Sequence, residues 1–299
     1  MLQVFLDVVL PVFIIAALGG LVGRWRGIMI APISALMFYL LSPALIFHSM
    51  ATSNLSASTS LQVVVVLVAG FVAIYICSTI WSVAVRHDPP MRAGFALAAT
   101  TPNLGNMGLP ISQLAFGDAG FTLAVVNLVA GTVLANSAGI GIASMAGGSR
   151  RAALVAPFRY PLLYAAAVGL AVNVSGIDLP VFIEAPAASL AGAAVPVMLV
   201  VLGLQLQHAV GGGDFRDLIA LNVARAVVGP AVAWFAATAL GMEGVERGTL
   251  VVLAAMPTAV VATIIATEFA ARPAFVTRAV VSSTLASMLT LTVLIALLK

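Results

Sequence analysis

Charged side chains are scarce in this sequence of 299 residues: Asp, Glu, Lys and Arg together make up 8% of it, against 62% hydrophobic residues. The mean hydropathy is +1.17. A soluble globular domain needs more polar side chains to cover its surface, so a water-soluble enzyme or binding domain is excluded. The composition predicts an all-α polytopic membrane protein embedded in the lipid bilayer. No polar stretch is long enough to form a second domain in water.

Cysteine and the common catalytic motifs are also nearly absent. Cys77 is the one cysteine, so an intrachain disulfide is excluded. No His-Glu-x-x-His or phosphate-binding Gly-x-x-x-x-Gly-Lys-Ser/Thr pattern occurs. The histidines His48, His87 and His208 are remote in sequence, which favours interfacial residues over a metal site. Gly211-Gly212-Gly213-Asp214 is similar to the Gly-x-Gly-Asp of intramembrane aspartyl proteases, but a second intramembrane aspartate is lacking. We therefore expect no enzyme and no cofactor.

The apolar residues form ten segments of roughly 17–25 residues, the length that a bilayer requires. The predicted spans are Val4–Gly23, Ala31–Met50, Leu61–Val85, Ala93–Phe116, Phe121–Met145, Tyr160–Ile177, Ala187–His208, Leu218–Leu240, Thr249–Ala270 and Val276–Leu298. The first span carries Asp7 and lacks a basic leader, so we expect a retained helix and not a signal peptide.

Positive charge falls almost entirely on one face of this predicted topology. Only Arg247 and Lys299 lie on the other face, and Arg225 lies within the eighth span. The arginine-rich face receives Arg24, Arg26, Arg86, Arg92, Arg150, Arg151, Arg159, Arg216, Arg272 and Arg278. By the positive-inside rule this face is cytoplasmic, which predicts an inner-membrane protein with both termini outside. The basic residues are scattered in short loops and do not indicate nucleic-acid binding.

The two halves of the chain, residues 1–150 and 151–299, hold five predicted spans each and must therefore lie in opposite orientations. Pro43 in the second span corresponds to Pro196 in the seventh. The break Pro102–Pro110 in the fourth span corresponds to Met256-Pro257-Thr258 in the ninth. Interrupted helices at matching places in inverted halves are typical of a secondary transporter's binding site, although two unrelated proline kinks would leave the same pattern.

The break in the fourth span, Thr100–Pro110, is the predicted binding site. Prolines and glycines make it a poor helix interior, and broken backbone survives in hydrocarbon only where it is buried or lines a polar cavity. Two half-helix N-termini meeting there would favour an anion. The predicted substrate-binding residues are Asn103, Gly105, Asn106, Gly108, Pro110, Gln113, Pro257, Thr258 and Thr263.

The run Asn103-Leu104-Gly105-Asn106-Met107-Gly108-Leu109-Pro110 resembles the asparagine-to-Gly-hydrophobic-Pro motif of the auxin efflux carrier family. Weaker similarities follow in order along the whole chain. They are Phe116-Gly117-Asp118, Pro196-Val197-Met198 with Leu202-Gly203, Arg225 five residues before Pro230, Met256-Pro257, and Ala266-Thr267-Glu268. Only Ala146–Arg159 separates the halves, so the chain resembles the compact bacterial members and lacks the long central loop of many plant auxin exporters.

This resemblance implies a fold similar to those of bile-acid symporters and sodium/proton antiporters. It has ten helices in two inverted five-helix repeats, with crossed, broken helices four and nine. The resemblance also implies that helices 1, 2, 6 and 7 form a scaffold, which is also the candidate homodimer surface, and that helices 3–5 and 8–10 move against it as an elevator. Asn103 would be the main polar contact of the substrate.

The sequence is compatible with two roles for each of two charged residues. Arg225 is either a counter-charge for an anionic substrate or a structural residue that snorkels or pairs with Asp217 or Asp214. Glu268 either forms a helix-face pair with Arg272, four residues on, or is a carboxylate that couples transport to a cation.

Four smaller polar residues are candidates for lining the cavity. Asn127, Asn136, Ser137 and Ser42 either line it or form interhelical hydrogen bonds, and the second role is the commoner. Together the residues predict a secondary active transporter of small organic anions, such as malonate, malate or auxin-like carboxylates. The alternative is a cation-coupled antiporter or sodium symporter of the same fold with a different substrate, so Na⁺ or H⁺ coupling stays open.

Overall fold

The computed structural model describes residues 1–143, 160–207 and 213–299, and these residues fold almost entirely into helices. The helices are α1 Leu2–Arg26, α2 Ile30–Ala51, α3 Ala57–Ala84, α4 Pro89–Thr100, α5 Leu104–Ala143, α6 Pro161–Ser175, α7 Val181–Leu206, α8 Phe215–Ala239, α9 Gly244–Ala254, α10 Val261–Glu268 and α11 Pro273–Leu298. The prediction of an all-helical polytopic membrane protein is confirmed, with seven of these helices long and apolar enough to cross a membrane.

Helix α5 has 40 residues and would be about 60 Å long if straight, roughly twice the thickness of the hydrocarbon core. Gly117 interrupts it with φ 67° and ψ −157°, a left-handed conformation that favours glycine. The part of α5 before Gly117 coincides with the end of the predicted fourth span, and the part after it coincides with the fifth. The shorter helices α4, α9 and α10 make up the rest of the predicted fourth and ninth spans.

Four prolines within the apolar helices follow a widened, π-helical turn that ends two residues earlier. Proline has no N–H for the carbonyl four residues before it, and its ring crowds that carbonyl, so the preceding turn opens to the i→i+5 pattern. The turns are Phe5–Val9 before Pro11, Met37–Leu41 before Pro43, Leu104–Gly108 before Pro110 and Ala224–Val228 before Pro230.

The helices pack as two bodies. Helices α1, α2, α6 and α7 pack chiefly on one another and form the first body, and the remaining seven helices form the second body. Glycine lets α1 and α7 approach closely, because a Cβ at Gly203 would meet the carbonyl of Ala16 and lie 2.8 Å from the N of Gly20. In the same body the Asn173 amide of α6 donates to the carbonyls of Ala51, at 3.0 Å, and Ser53, at 2.7 Å, just beyond α2. These contacts fix the four helices as a unit.

We expect Gly203→Ala to destabilise the protein by about 1–3 kcal/mol, because the added methyl group has no room against α1. The matched control is Gly192→Ala in the same helix, where a Cβ has nothing within 4 Å. That change should be neutral or stabilising, since alanine favours a helix over glycine. Thermal unfolding of the two purified variants measures the difference, and equal melting temperatures would contradict the close α1–α7 contact.

Candidate functional site

The two breaks predicted from the sequence contact each other through their backbones. The Asn103 N–H donates to the Pro257 carbonyl at 2.7 Å, and the Ala259 N–H donates to the Thr101 carbonyl at 2.9 Å. Between these bonds Pro102 lies opposite Thr258 in an isolated antiparallel bridge. The pairing supplies hydrogen bonds to backbone groups that have left their helices, which a segment buried in a membrane requires.

Thr258 ties this pairing to the helices around it. The residue is fully buried, its Oγ1 donates to the Ala98 carbonyl of α4 at 2.9 Å, and its N–H donates to Ser283 Oγ of α11 at 2.9 Å. Gly108 lets the start of α5 pack closely against α9, because a Cβ at this position would lie 3.1 Å from the Leu253 side chain. The paired breaks, which we call the crossing (Thr101–Asn103 with Met256–Ala259), are thus packed on the side of α9 and α11.

A cavity of about 870 Å³ opens on one side of the crossing, between the two helix bodies. One wall comes from the crossing, α5 and α10. The other wall comes from the first body, through Ser34, Phe38 and Tyr39 of α2, Tyr160 and Leu162 at the start of α6, and Gln205 of α7. The cavity reaches Glu268, the last residue of α10, and Tyr160, which directly precedes α6. In the sequence Glu268 lies four residues before Arg272, and Tyr160 directly follows Arg159.

The polar groups at the inner end of the cavity are almost all neutral. Asn103 is only 4% exposed, it lines the cavity, and its side chain has no hydrogen-bond partner among the described residues. Thr101 Oγ1 is buried and likewise unpartnered within them. The first backbone hydrogen bond of α5 runs from the Gly108 N–H to the Asn103 carbonyl at 3.0 Å. The N–H groups of Gly105 and Asn106 precede that bond, so they have no acceptor within the helix and remain available to a ligand.

The predicted site residues divide into three groups. Asn103, Gly105 and Asn106 line the large cavity together with Glu268. Gly108, Pro110, Pro257 and Thr258 are buried within or behind the crossing and shape it without lining the cavity. Gln113 is exposed and Thr263 half-buried, and neither lines the cavity.

The cavity wall also contains Thr101, Tyr160 and Gln205, which are not among the predicted substrate-binding residues. Thr101 does lie within the predicted break Thr100–Pro110. Tyr160 and Gln205 come from α6 and α7, and nothing in their local sequence marks them, because only the packing of the two bodies brings them to the site. Gln205 Oε1 accepts a hydrogen bond from Asn106 Nδ2 at 3.4 Å, across the boundary between the bodies.

The two structural contacts predicted for Arg225, snorkelling to the membrane edge and an ion pair with Asp217 or Asp214, are wrong. Arg225 is 3% exposed and bonds neither Asp217 nor Asp214. Its Nε donates to the Met256 carbonyl at 2.8 Å, and its Nη atoms donate to the carbonyls of Ala99 and Met256, with Pro257 at 3.4 Å. Local spacing suggested a nearby acid, whereas the π-helical turn of α8 places this residue against the crossing.

Asp217 and Asp214, the predicted partners of Arg225, both bond other side chains. Asp217 Oδ1 accepts a hydrogen bond from Trp81 Nε1 at 2.8 Å and lies 3.2 Å from His87 Nε2. Asp214 pairs with Arg278. The side chain of His87, which is 7% exposed, therefore belongs to a polar cluster just beyond the end of α3, and His208 lies outside the described residues.

The helix-face pair between Glu268 and Arg272 is also wrong. Helix α10 ends at Glu268, and Arg272 has φ 48°, so the two residues do not share a helix face. Arg272 instead pairs with Asp88, the N-cap of α4. The hydrogen bond from the Met91 N–H, followed by that from Arg272, lowers the pKa of Asp88 below its ordinary value. Glu268 is left exposed in the cavity without a cation within 4 Å among the described residues.

The other polar side chains of α5 bond mainly within their own helix. Asn136 lines the large cavity and donates to the Thr132 carbonyl at 2.8 Å, and Ser137 donates to the Val133 carbonyl at 2.7 Å. Asn127 lines a second, small cavity beside Arg225, and its Oδ1 is buried without a partner among the described residues.

A family model described as membrane transport protein matches the chain twice, over residues 4–152 and 149–295. The chain belongs to the membrane transport protein family. This match confirms the resemblance to auxin efflux carriers that the asparagine motif indicated. The transporter is 27% identical over 229 residues to an uncharacterized transporter of Methanothermobacter thermautotrophicus, covering 76% of this chain and 75% of that protein. It is 24% identical over 243 residues to an uncharacterized transporter of Methanocaldococcus jannaschii, covering 78% of each.

Thr258→Val should lower the stability of the transporter by about 1–2 kcal/mol, because the Ala98 carbonyl loses its buried donor. Thr263→Val is the matched control, since this half-buried threonine lies off the crossing in the same predicted span. Melting temperatures of both variants in one detergent give the comparison. A control variant as unstable as Thr258→Val would contradict the role given to the Thr258 hydroxyl.

Proposed function

We propose that this protein is a secondary active transporter of small organic anions, with the substrate bound in the large cavity at the crossing. The proposal includes ten membrane crossings in two inverted halves, with the broken fourth and ninth spans crossing at the site. The family supports transport, and the two consecutive family matches support two related halves. The observation that carries the substrate site is the buried, unpartnered Asn103 side chain in the cavity wall.

The electrostatics of the crossing favour an anion. The first N–H groups of α5 are the positive end of a helix dipole, and they lie in the wall of the cavity at Gly105 and Asn106. The Arg225 guanidinium lies directly behind the crossing, bonded to the carbonyls on its far side. Glu268 is the one acid in the described cavity wall, and it stands at the end of α10 away from the crossing. A carboxylate bound near Asn103 would therefore meet donors and positive potential.

The cavity position supports alternating access. Its walls come from two separately packed bodies, and it extends to the helix ends beside the arginine-rich face, which is cytoplasmic by the distribution of Arg and Lys. We infer that the structure represents the inward-open state in the cytoplasmic membrane. Sliding of the second body along α1, α2, α6 and α7 would carry the crossing towards the other face, as an elevator.

The exposed Glu268 favours one second candidate, a transporter of the same fold that couples transport to a cation at this carboxylate. The carboxylate is close to the substrate path and is not neutralised by Arg272. An acid in such a position can exchange a proton during the transport cycle.

Asn103→Ala should abolish carboxylate binding and leave the fold intact, because the side chain bonds no other described residue. The measurement is a thermal-shift screen of detergent-purified protein against malonate, malate and monocarboxylates. A carboxylate that binds the wild type at 100 times its Kd should stabilise it by about 2.7 kcal/mol, and this shift should vanish in the variant. Gln113→Ala is the control, since Gln113 is exposed outside the cavity and should respond like the wild type.

Unchanged carboxylate stabilisation in Asn103→Ala would rule out the site. Loss of binding in Gln113→Ala alone would move the substrate to another surface of α5. No stabilisation of the wild type by any carboxylate in the screen would contradict the proposed substrate class.

Glu268→Gln separates the two candidate functions. If Glu268 exchanges a proton during transport, the carboxylate-induced shift of the wild type differs between acidic and neutral buffer, and the variant loses this difference. Glu243→Gln, at the exposed start of α9, is the control and should keep it. A pH response that is identical in the wild type and Glu268→Gln would contradict coupling at this residue.

A further inference from the structure

Behind the crossing, on the side away from the large cavity, several backbone carbonyls converge on one point. Ala99 is in the last turn of α4, and Met256 and Pro257 follow the end of α9. Carbonyls at and beyond a helix C-terminus lack helical donors and carry the negative end of the helix dipole. Two half-helices that end at the same place therefore create a cluster of neutral oxygens with a negative potential.

A cluster of this kind is a site for a cation. In transporters with discontinuous helices, unwound carbonyls and half-helix C-termini coordinate small inorganic cations near the midplane. In this protein the Arg225 guanidinium occupies the cluster, with its Nε 2.8 Å from the Met256 oxygen. Arg225 forms no ion pair with any carboxylate of the described residues, so its charge is balanced by carbonyl dipoles.

The sequence around Arg225 builds this arrangement. Pro230 opens the π-helical turn Ala224–Val228 that carries Arg225. One turn on, α8 passes so close to the end of α9 that a Cβ at Gly229 would lie 2.7 Å from the Ala254 carbonyl. The guanidinium is therefore held at the crossing by the packing of its own helix.

The guanidinium also borders the small cavity of about 40 Å³, which has room for a water molecule. This cavity shares Pro102, Gly131 and Ala135 with the wall of the large cavity, so the two cavities adjoin each other at these residues. The buried Asn127 Oδ1 faces the same small space as an unpartnered acceptor. This additional neutral oxygen atom beside the carbonyl cluster favours the binding of a cation over that of an anion.

We propose that the carbonyl cluster at the crossing is a cation site filled permanently by Arg225, so that anion binding in the adjacent cavity requires no dissolved sodium ion. The statement about anion binding rests on the proposed function. The occupation of the carbonyl cluster by Arg225 does not depend on which substrate the protein transports. Removal of the guanidinium would turn the cluster into a vacant site that a free cation can enter.

The test compares the wild type with Arg225→Met, which keeps an unbranched side chain and removes the charge. Melting temperatures are measured without any carboxylate, in choline, potassium or sodium chloride at equal ionic strength. The wild type should melt at the same temperature in all three salts. Arg225→Met should melt lower in choline chloride and regain about 3 °C in sodium chloride or with added guanidinium at about 10 mM, far below denaturing concentrations.

Arg247→Met is the matched control, because Arg247 stacks over Trp234 at 4.1 Å, away from the crossing. It should show no recovery specific to sodium or guanidinium. Where Arg225→Met does not yield folded protein, Arg225→Gln retains amide donors without the charge and should show the same recovery.

Specific stabilisation of the wild type by sodium would overturn the proposal, and so would a folded, uncharged Arg225 variant that responds to neither cation. Because these measurements contain no carboxylate, they remain interpretable if the anion screen fails.

Discussion

The pairing of two broken backbones is the constraint on which the rest of the structure depends. A chain that leaves its helix inside hydrocarbon exposes N–H and C=O groups that lipid cannot bond. Here Asn103 and Ala259 donate to the opposite break, and Thr258 and Arg225 supply donors to the carbonyls of α4 and α9. Each break therefore supplies hydrogen bonds that the other break lacks within its own helices.

The same pairing gives the two sides of the crossing opposite electrostatic potentials. Helices α4 and α9 end at it, and their carbonyls converge on Arg225. Helix α5 begins at it, and its first N–H groups lie in the cavity wall beside Asn103. In the proposed anion site, positive potential would thus arise without a charged side chain in contact with the ligand. Such a site can release its ligand more readily than one built on a direct ion pair, which suits a transporter.

Residues whose role depends on local chain properties could be predicted from the sequence. The apolar runs predicted the helices, and the prolines and glycines of Thr100–Pro110 predicted the break and the position of Asn103. The predicted ion pairs of Arg225 with Asp217 and of Glu268 with Arg272 are not formed. A prediction from sequence spacing assumes that both partners are exposed on one continuous helix. Arg225 is instead bonded to residues 126 and 31 positions away. No local pattern in a single sequence reveals contacts between residues so far apart along the chain.

Short hydrogen bonds and close backbone contacts lie mainly within each of the two bodies. Glycine contacts join α1 to α7, and Asn173 joins α6 to the end of α2. Arg225 joins α8 to both breaks in the other body. Across the boundary, Asn106 and Gln205 form a hydrogen bond of 3.4 Å, near the limit for such a bond. Because a long bond between neutral groups costs little to break, this distribution of polar contacts supports the proposal that the crossing moves as one rigid unit.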